Sequence, residues 1–514
     1  MPSRVRNWIG FVAMCLGMFM AILDIQVVAS SLTTIETALH IPGSQLSWIQ
    51  TGYLIAEVIA IPLTGWLTRA LSLRWLYAGA TLGFVLASLG CAASGSADAL
   101  IAIRVVQGFC GGMLIPAVFT SAFVILPEDD RVLATTVAGA LAMIAPTIGP
   151  TVGGYITQTY TWHWIFLINV VPGFVVVALV IACVRLDEPN WKEWRIIDYS
   201  TVILAALFLG SLELLLKKGP ENNWHGPLVY SLLALCPLSG LLGVYLSLRR
   251  AHPLVDLRKF QERGFSLACI LSFALGMGLY GSVYVNSLFL GIVRGHGPLQ
   301  IGEIMIAYGA AQLVSAPFAA YAEARYNPRW LTALGFAVFA AGMFTNAEMM
   351  TDTDFSGLFW QQILRGGAIL LCLLPATRIA LDMWEPEEIP DASAMFNLMR
   401  NVGGAIGIAV IDTILEQRTA GHAHKLVDRL QAGDPAAARI VGLPVQYFHN
   451  VPFGQIDETT KAMVMPLISR AALTQSFNEA WVVLGAVCVA ALITVPFLPS
   501  KLGPPGGHRL GGHH

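Results

Sequence analysis

RVVQGFCGGMLIPA, residues 104–117, has an ordered counterpart in QQILRGGAILLCLLPA, residues 361–376. In each, an arginine precedes a proline inside an apolar run: Arg104 twelve residues before Pro116, Arg365 ten before Pro375. Each is followed by a Gly-rich apolar stretch, AGALAMIAPTIGPTVGG at 138–154 and ASAMFNLMRNVGGAIG at 392–407. Repeated sets of apolar helices related by an axis through the membrane are a transporter signature, not expected of a receptor or a membrane enzyme.

Composition agrees with that reading. The chain of 514 residues is 56% hydrophobic and only 12% charged, about half the charged fraction of an ordinary soluble domain. Mean hydropathy is +0.66. A net charge of −2 excludes the basic surface that nucleic-acid binding needs. The eight cysteines lie in or beside apolar stretches and read as small buried side chains. MPSRVRNW leads into an apolar run without a small-residue cleavage site, so the first apolar segment is expected to be an uncleaved helix.

A crossing needs about 20 mainly apolar residues. Fourteen spans qualify: 8–32, 47–68, 75–94, 99–126, 132–158, 163–184, 198–216, 227–248, 265–290, 299–322, 330–350, 357–380, 392–413 and 478–498. The repeat then places spans 7 and 8 between two six-helix halves. The expected organisation is an N-terminal half (1–190), two linker helices (191–263), a C-terminal half (264–500) that includes a long external loop (414–477), and a flexible tail (501–514). Lys and Arg favour cytoplasmic loops. Arg4, Arg6, Arg69, Arg74, Arg131, Arg185, Arg249, Arg250 and Lys259 all fall on one side, against Lys217, Lys218 and Arg294 on the other. That asymmetry puts both termini in the cytoplasm. The polar loop 414–477 is either a tolerated insertion or a docking surface.

Charges inside spans are functional hypotheses by default, because lipid disfavours them. Asp24 lies in MFMAILDIQVVASSL, residues 18–32. At ~1.5 Å of rise per residue, Asp24 and Arg104 reach nearly the same depth, with Glu57 further in. The three form a candidate proton-coupling stripe, since a carboxylate that gains or loses an Arg neighbour changes its proton affinity. A static ion pair between spans 1 and 4 is the competing account. Gln26, Gln107, Tyr284, Asn286 and Arg365 are candidate substrate contacts, with ordinary interhelical bonding as the alternative. Glu213, Glu303 and Asp412 fall near span ends, where long side chains snorkel to water. Gly149, Pro150, Gly153 and Gly154 offer a close-packing, bent surface on span 5 that would seal one half against the other. No catalytic or metal motif is present, and neither an enzyme nor a cofactor is expected.

These motifs resemble the fourteen-helix drug–proton antiporters of the major facilitator superfamily, most closely the EmrB type. The resemblance runs through Leu23 and Asp24, through RxxQG at Arg104, Gln107 and Gly108, through GPTVGG at 149–154, and through WHWIFLIN at 162–169. The chain departs at Gln26 and Ala29, where Thr and Asn are usual. It departs again in GWLTRALSLRW at 65–75, where Arg69 and Ser72 replace Asp and Gly. The resemblance implies an all-α major facilitator fold and proton-driven export of amphipathic toxic compounds across a Gram-negative inner membrane. It also implies a periplasmic adaptor and an outer-membrane channel as partners, besides protons, lipid and a small-molecule substrate. Dedicated export of one siderophore, fatty acid or aromatic acid is the second reading, and a non-transporting membrane sensor the third.

Overall fold

The computed structural model describes residues 3–39, 43–185, 189–449 and 458–498. Lipid offers no partner for a free N–H or C=O, so a spanning chain must satisfy its backbone internally. The apolar spans accordingly fold as helices, and no strand occurs among the described residues. The first half is α1 (Ser3–Leu39), α2 (Gly43–Leu71), α3 (Leu73–Ala92), α4 (Ala97–Val124), α5 (Glu128–Thr159) and α6 (Trp164–Cys183). Then come α7 (Tyr199–Glu221) and α8 (Pro227–Arg249). The second half is α9 (Arg263–Val293, ending in a π turn), α10 (Pro298–Arg325), α11 (Pro328–Glu348), α12 (Phe355–Leu381) and α13 (Ile389–Gln431). It is completed, after the short α14 (Pro435–Val441), by α15 (Glu458–Leu492). All but α14 are long and apolar enough to cross a membrane, which makes 14 crossings among the described residues. Below, the near end of the bundle is the one where α1 begins, and the far end is opposite.

Glycines set the tightest helix contacts. A Cβ on Gly108 or Gly112 of α4 would run into the backbone of Tyr53 and Glu57 on α2. The second half repeats the device: Gly366 of α12 lies against the Tyr308 carbonyl of α10. Gly403 of α13 lies in the same way against Phe273 of α9. Small residues let helices approach where no hydrophobic effect drives them together.

The halves meet along α5–α10 and α2–α13. Thr147 and Thr151 of α5 fit against Gly309 and Gly302 of α10. At the near end, Arg69 of α2 pairs with Asp391 of α13, and Arg131 of α5 with Asp382 at 2.8 Å. Ser393 on α13 donates to the Pro116 carbonyl of α4 at 2.9 Å in the same region. The α7–α8 hairpin packs through α7 onto α2 and α13, one helix from each half.

The stretch expected as a loop at 414–477 is largely helix. Helix α13 continues to Gln431, and α15 begins at Glu458, before the expected last span. Leu426, Leu430, Ala437, Ala438, Val441, Ile468, Ala471 and Ala472 form a small separate core there. The sequence looked polar because only one face of each helix enters that core. The tail at 501–514 and its histidines lie outside the described residues.

Candidate functional site

Four helices of the first half converge on Asp24. One carboxylate oxygen accepts from Arg104. The other accepts from Gln107 Nε2 at 3.1 Å and Asn169 Nδ2 at 2.8 Å. Gln107 also takes Arg104 Nη1 at 2.7 Å and gives its amide to Ser88 at 2.9 Å. The guanidinium of Arg104 lies 4.2 Å over the Tyr53 ring and reaches the Ile49 carbonyl at 3.3 Å. Both charged side chains are 0% exposed. Charges this deep persist only where ion pairing and hydrogen bonds together offset lost hydration. The ion pair therefore exists, but neither member lines the cavity between the halves.

That cavity, about 470 Å³, lies in the far part of the bundle. Helices α1, α2, α5, α7, α9, α10 and α13 all contribute to its wall. Its apolar part includes Leu32, Leu54, Leu279, Val283 and Ile301; its polar part includes Gln26, Gln50, Tyr280, Tyr284, Glu213, Lys217 and Asp412. A mostly apolar pocket with a few convergent polar groups, at a boundary between two structural units, is the usual form of a small-molecule site. Tyr284 donates its hydroxyl to Asp412 at 2.7 Å.

Of the residues singled out in the sequence, Gln26, Tyr284 and Pro150 reach this wall. Gln107 is absorbed in the Asp24 network. Asn286 is fully buried and directed at the Met305 sulfur, 3.8 Å away. Arg365 is 1% exposed, between the rings of Trp481 at 4.6 Å and Tyr308 at 5.6 Å. It has no acid partner among the described residues, because α9 carries no carboxylate where α1 carries Asp24. Glu57 is 5% exposed and within electrostatic reach of Glu213 and Tyr280. Gly149 lets the Gln26 side chain close on α5, Gly154 faces Pro298 and Leu299 of α10, and Gly153 is buried.

Four residues were underrated in the sequence. Glu213 and Asp412, expected to snorkel at helix ends, face the cavity instead; Glu303 is exposed as expected. Besides Glu193 at 3.6 Å, Arg69 pairs with Asp391, far away in the chain, and nothing local announces that partner. Asn169 closes the WHWIFLIN motif, and its polar side chain at the end of an apolar run was the signal that something buried needed a donor.

Two six-helix halves facing each other across a cavity define a solute transporter. The family model described as the Major Facilitator Superfamily matches residues 14–281, and the chain belongs to that superfamily, as a member of the EmrB type. It is 34% identical over 501 residues to the colistin resistance protein EmrB of Acinetobacter baumannii, covering 96% of each chain. It is 28% identical over 510 residues to the multidrug export protein EmrB of Escherichia coli K12, covering 98% of this chain and 97% of that one. Among solved structures, the proton:xylose symporter XylE superposes with a TM-score of 0.60 at 13% identity, covering 98% of both chains; this likeness concerns the fold alone.

Proposed function

We propose that this chain exports amphipathic, largely hydrophobic compounds in exchange for protons across a bacterial inner membrane. Both termini are cytoplasmic in this reading, and the far end is periplasmic. The observation that carries it is the cavity between the halves, displaced toward the far end and backed at the near end by two cross-half ion pairs. With the far end taken as periplasmic, the reading makes this an outward-facing arrangement, and rocking of the halves would expose the cavity on the other side. The helical projection at the far end is where a periplasmic adaptor, leading to an outer-membrane channel, would dock.

Asp24, Arg104 and Glu57 are the proposed coupling groups. In this state Asp24 is held as an ion pair by Arg104. A rearrangement that draws Arg104 away would leave a buried carboxylate that prefers a proton. Glu57, buried on α2 and within electrostatic reach of Tyr280 on α9 of the other half, is placed to feel the rocking directly. Gln26, at one of the departures from the EmrB pattern, lines the cavity. This favours, as the second reading, a pocket adapted to one physiological compound.

The test is proton release from detergent-purified protein on adding hydrophobic cations, fatty acids and aromatic acids, with wild type set against Asp24→Asn and Glu57→Gln. Release that one variant abolishes identifies the coupling carboxylate. Binding without release in the wild type rejects coupling through these groups.

A further inference from the structure

The linker helices carry an unexpected share of the site. Helix α7 lies across the seam between the halves: Gly210 faces Ile55 and Ile59 of α2, and Lys218 lies 5.8 Å from the Trp48 ring. On the other side, Trp224, just beyond α7, donates its indole N–H to Thr413 of α13 at 3.1 Å. This double attachment turns Glu213, Leu216 and Lys217 into the cavity. A helix serving only as a spacer would present lipid-compatible side chains here, since a charge in a span is costly without a partner.

The charges in the cavity do not cancel. Lys217 is within electrostatic reach of both Glu213 and Asp412, but its ion pair is made with Glu221, 3.4 Å away. Asp412 accepts only the neutral Tyr284 hydroxyl at 2.7 Å. Glu213 has no hydrogen-bond or ion-pair partner among the described residues, although it is half-buried. Glu57, within electrostatic reach of Glu213 and of Arg104, makes no ion pair among the described residues and does not line the cavity. Arg400 of the second half is 2% exposed; it bonds Asn397, lies 5.4 Å from the Phe119 ring and interacts with the Tyr280 hydroxyl from behind the cavity wall, without lining the cavity itself. On the wall itself Glu213 and Asp412 outnumber Lys217, which Glu221 shares, and they stand beside the Tyr284 ring. Carboxylates set against aromatic faces suit a cation with an apolar body; they repel a carboxylate ligand.

We propose that α7 is a wall of the transport site and that Glu213, together with Asp412 of α13, holds the positively charged head of an amphipathic substrate. Glu213 is then a specificity-determining residue, and the linker hairpin is part of the machinery. The proposal rests on the export reading above and narrows its substrate class to lipophilic cations.

Two probes of one shape and opposite charge provide the test: tetraphenylphosphonium and tetraphenylborate, titrated into the purified full-length chain. The wild type is expected to bind the phosphonium at least ~10-fold more tightly than the borate, the scale of one or two incompletely hydrated charges. Glu213→Gln should bring that ratio toward one, Glu213→Asp should keep it, and Glu213→Lys should invert it. Because the readout is a ratio, partial loss of folded protein cancels. A wild type that favours the borate, or a Glu213→Gln variant with an unchanged ratio, overturns the head-group assignment while leaving export intact. A wild type that binds neither probe, and releases no proton with any compound of the wider panel, overturns both readings.

Discussion

Arg69 on α2 hydrogen-bonds Asp391 on α13, joining the two halves at the near end across 322 residues of sequence. One turn earlier, Gly65 makes room for Asp391, and a Cβ there would collide with it. The acid that meets Arg69 here comes from the other half.

If this pair helps to hold the near end shut, Arg69→Ala should favour the opposite state. A partly exposed ion pair contributes about 1 kcal/mol, or roughly a fivefold shift in a two-state equilibrium. Ser393→Cys would place a thiol behind the closure, since Ser393 is fully buried against Pro116. Its maleimide labelling should be about fivefold faster with Arg69→Ala than without, measured above the background of the native cysteines. An unchanged rate would mean that the packing of α2 on α13 is sufficient to hold the closure.

Asp24→Ala should be severely destabilising, because it strands Arg104 in a site with 0% exposure. Breaking one side of a buried pair costs about 3–5 kcal/mol. Replacing both members, Asp24→Leu with Arg104→Met, should recover much of that loss, since a packed apolar pair has no desolvation to offset. Thermal unfolding in detergent checks both outcomes. A well-folded double variant that still releases protons with substrate would assign the pair to architecture and leave Glu57 as the coupling group.

The crossings were legible because lipid imposes one demand, a long apolar helix, and that demand is written locally in every span. The repeat was legible in Arg104 and Arg365, although the two have different surroundings: one meets Asp24, the other two aromatic rings and the Gln361 carbonyl of its own helix. The cavity was less legible. Whether Glu213 faces lipid, water or the cavity depends on the rotation of α7, which Trp224 and Thr413 fix from outside the helix. The helical projection was hidden because its core is assembled from three short faces, each too sparse to read as a crossing.

Gly108→Ala should separate α2 from α4. The added methyl would meet the Tyr53 backbone, which cannot move aside as a flexible side chain would. Overpacking of this kind costs about 1–3 kcal/mol, and it would also shift the Tyr53 ring beneath Arg104. Gly79→Ala on α3, where no heavy atom lies within 4 Å of the added Cβ, should leave the thermal midpoint unchanged. Equal effects of the two substitutions would contradict the close-approach account.

The far-end projection should loosen independently of the bundle. Leu430→Ala removes a side chain that is 6% exposed in the small core shared by α13, α14 and α15, at a cost of about 2–5 kcal/mol confined to that unit. Amide exchange at 435–441 should accelerate while exchange in α4 stays slow. Asp434 caps α14 by accepting from the Ala436 N–H at 2.8 Å, and Arg429 bonds it at 2.7 Å. The hydrogen bond from Arg429 and the backbone N–H of Ala436 hold its carboxyl below the usual carboxylate range. A depressed folded-state pKa means that the cap is fully present at neutral pH and is lost as pH falls through that lowered value. After correction for intrinsic rates, protection of α14 should therefore fall on acidification in the wild type and be low at every pH in Asp434→Ala. If the two proteins lost protection in parallel on acidification, another group would control the unit.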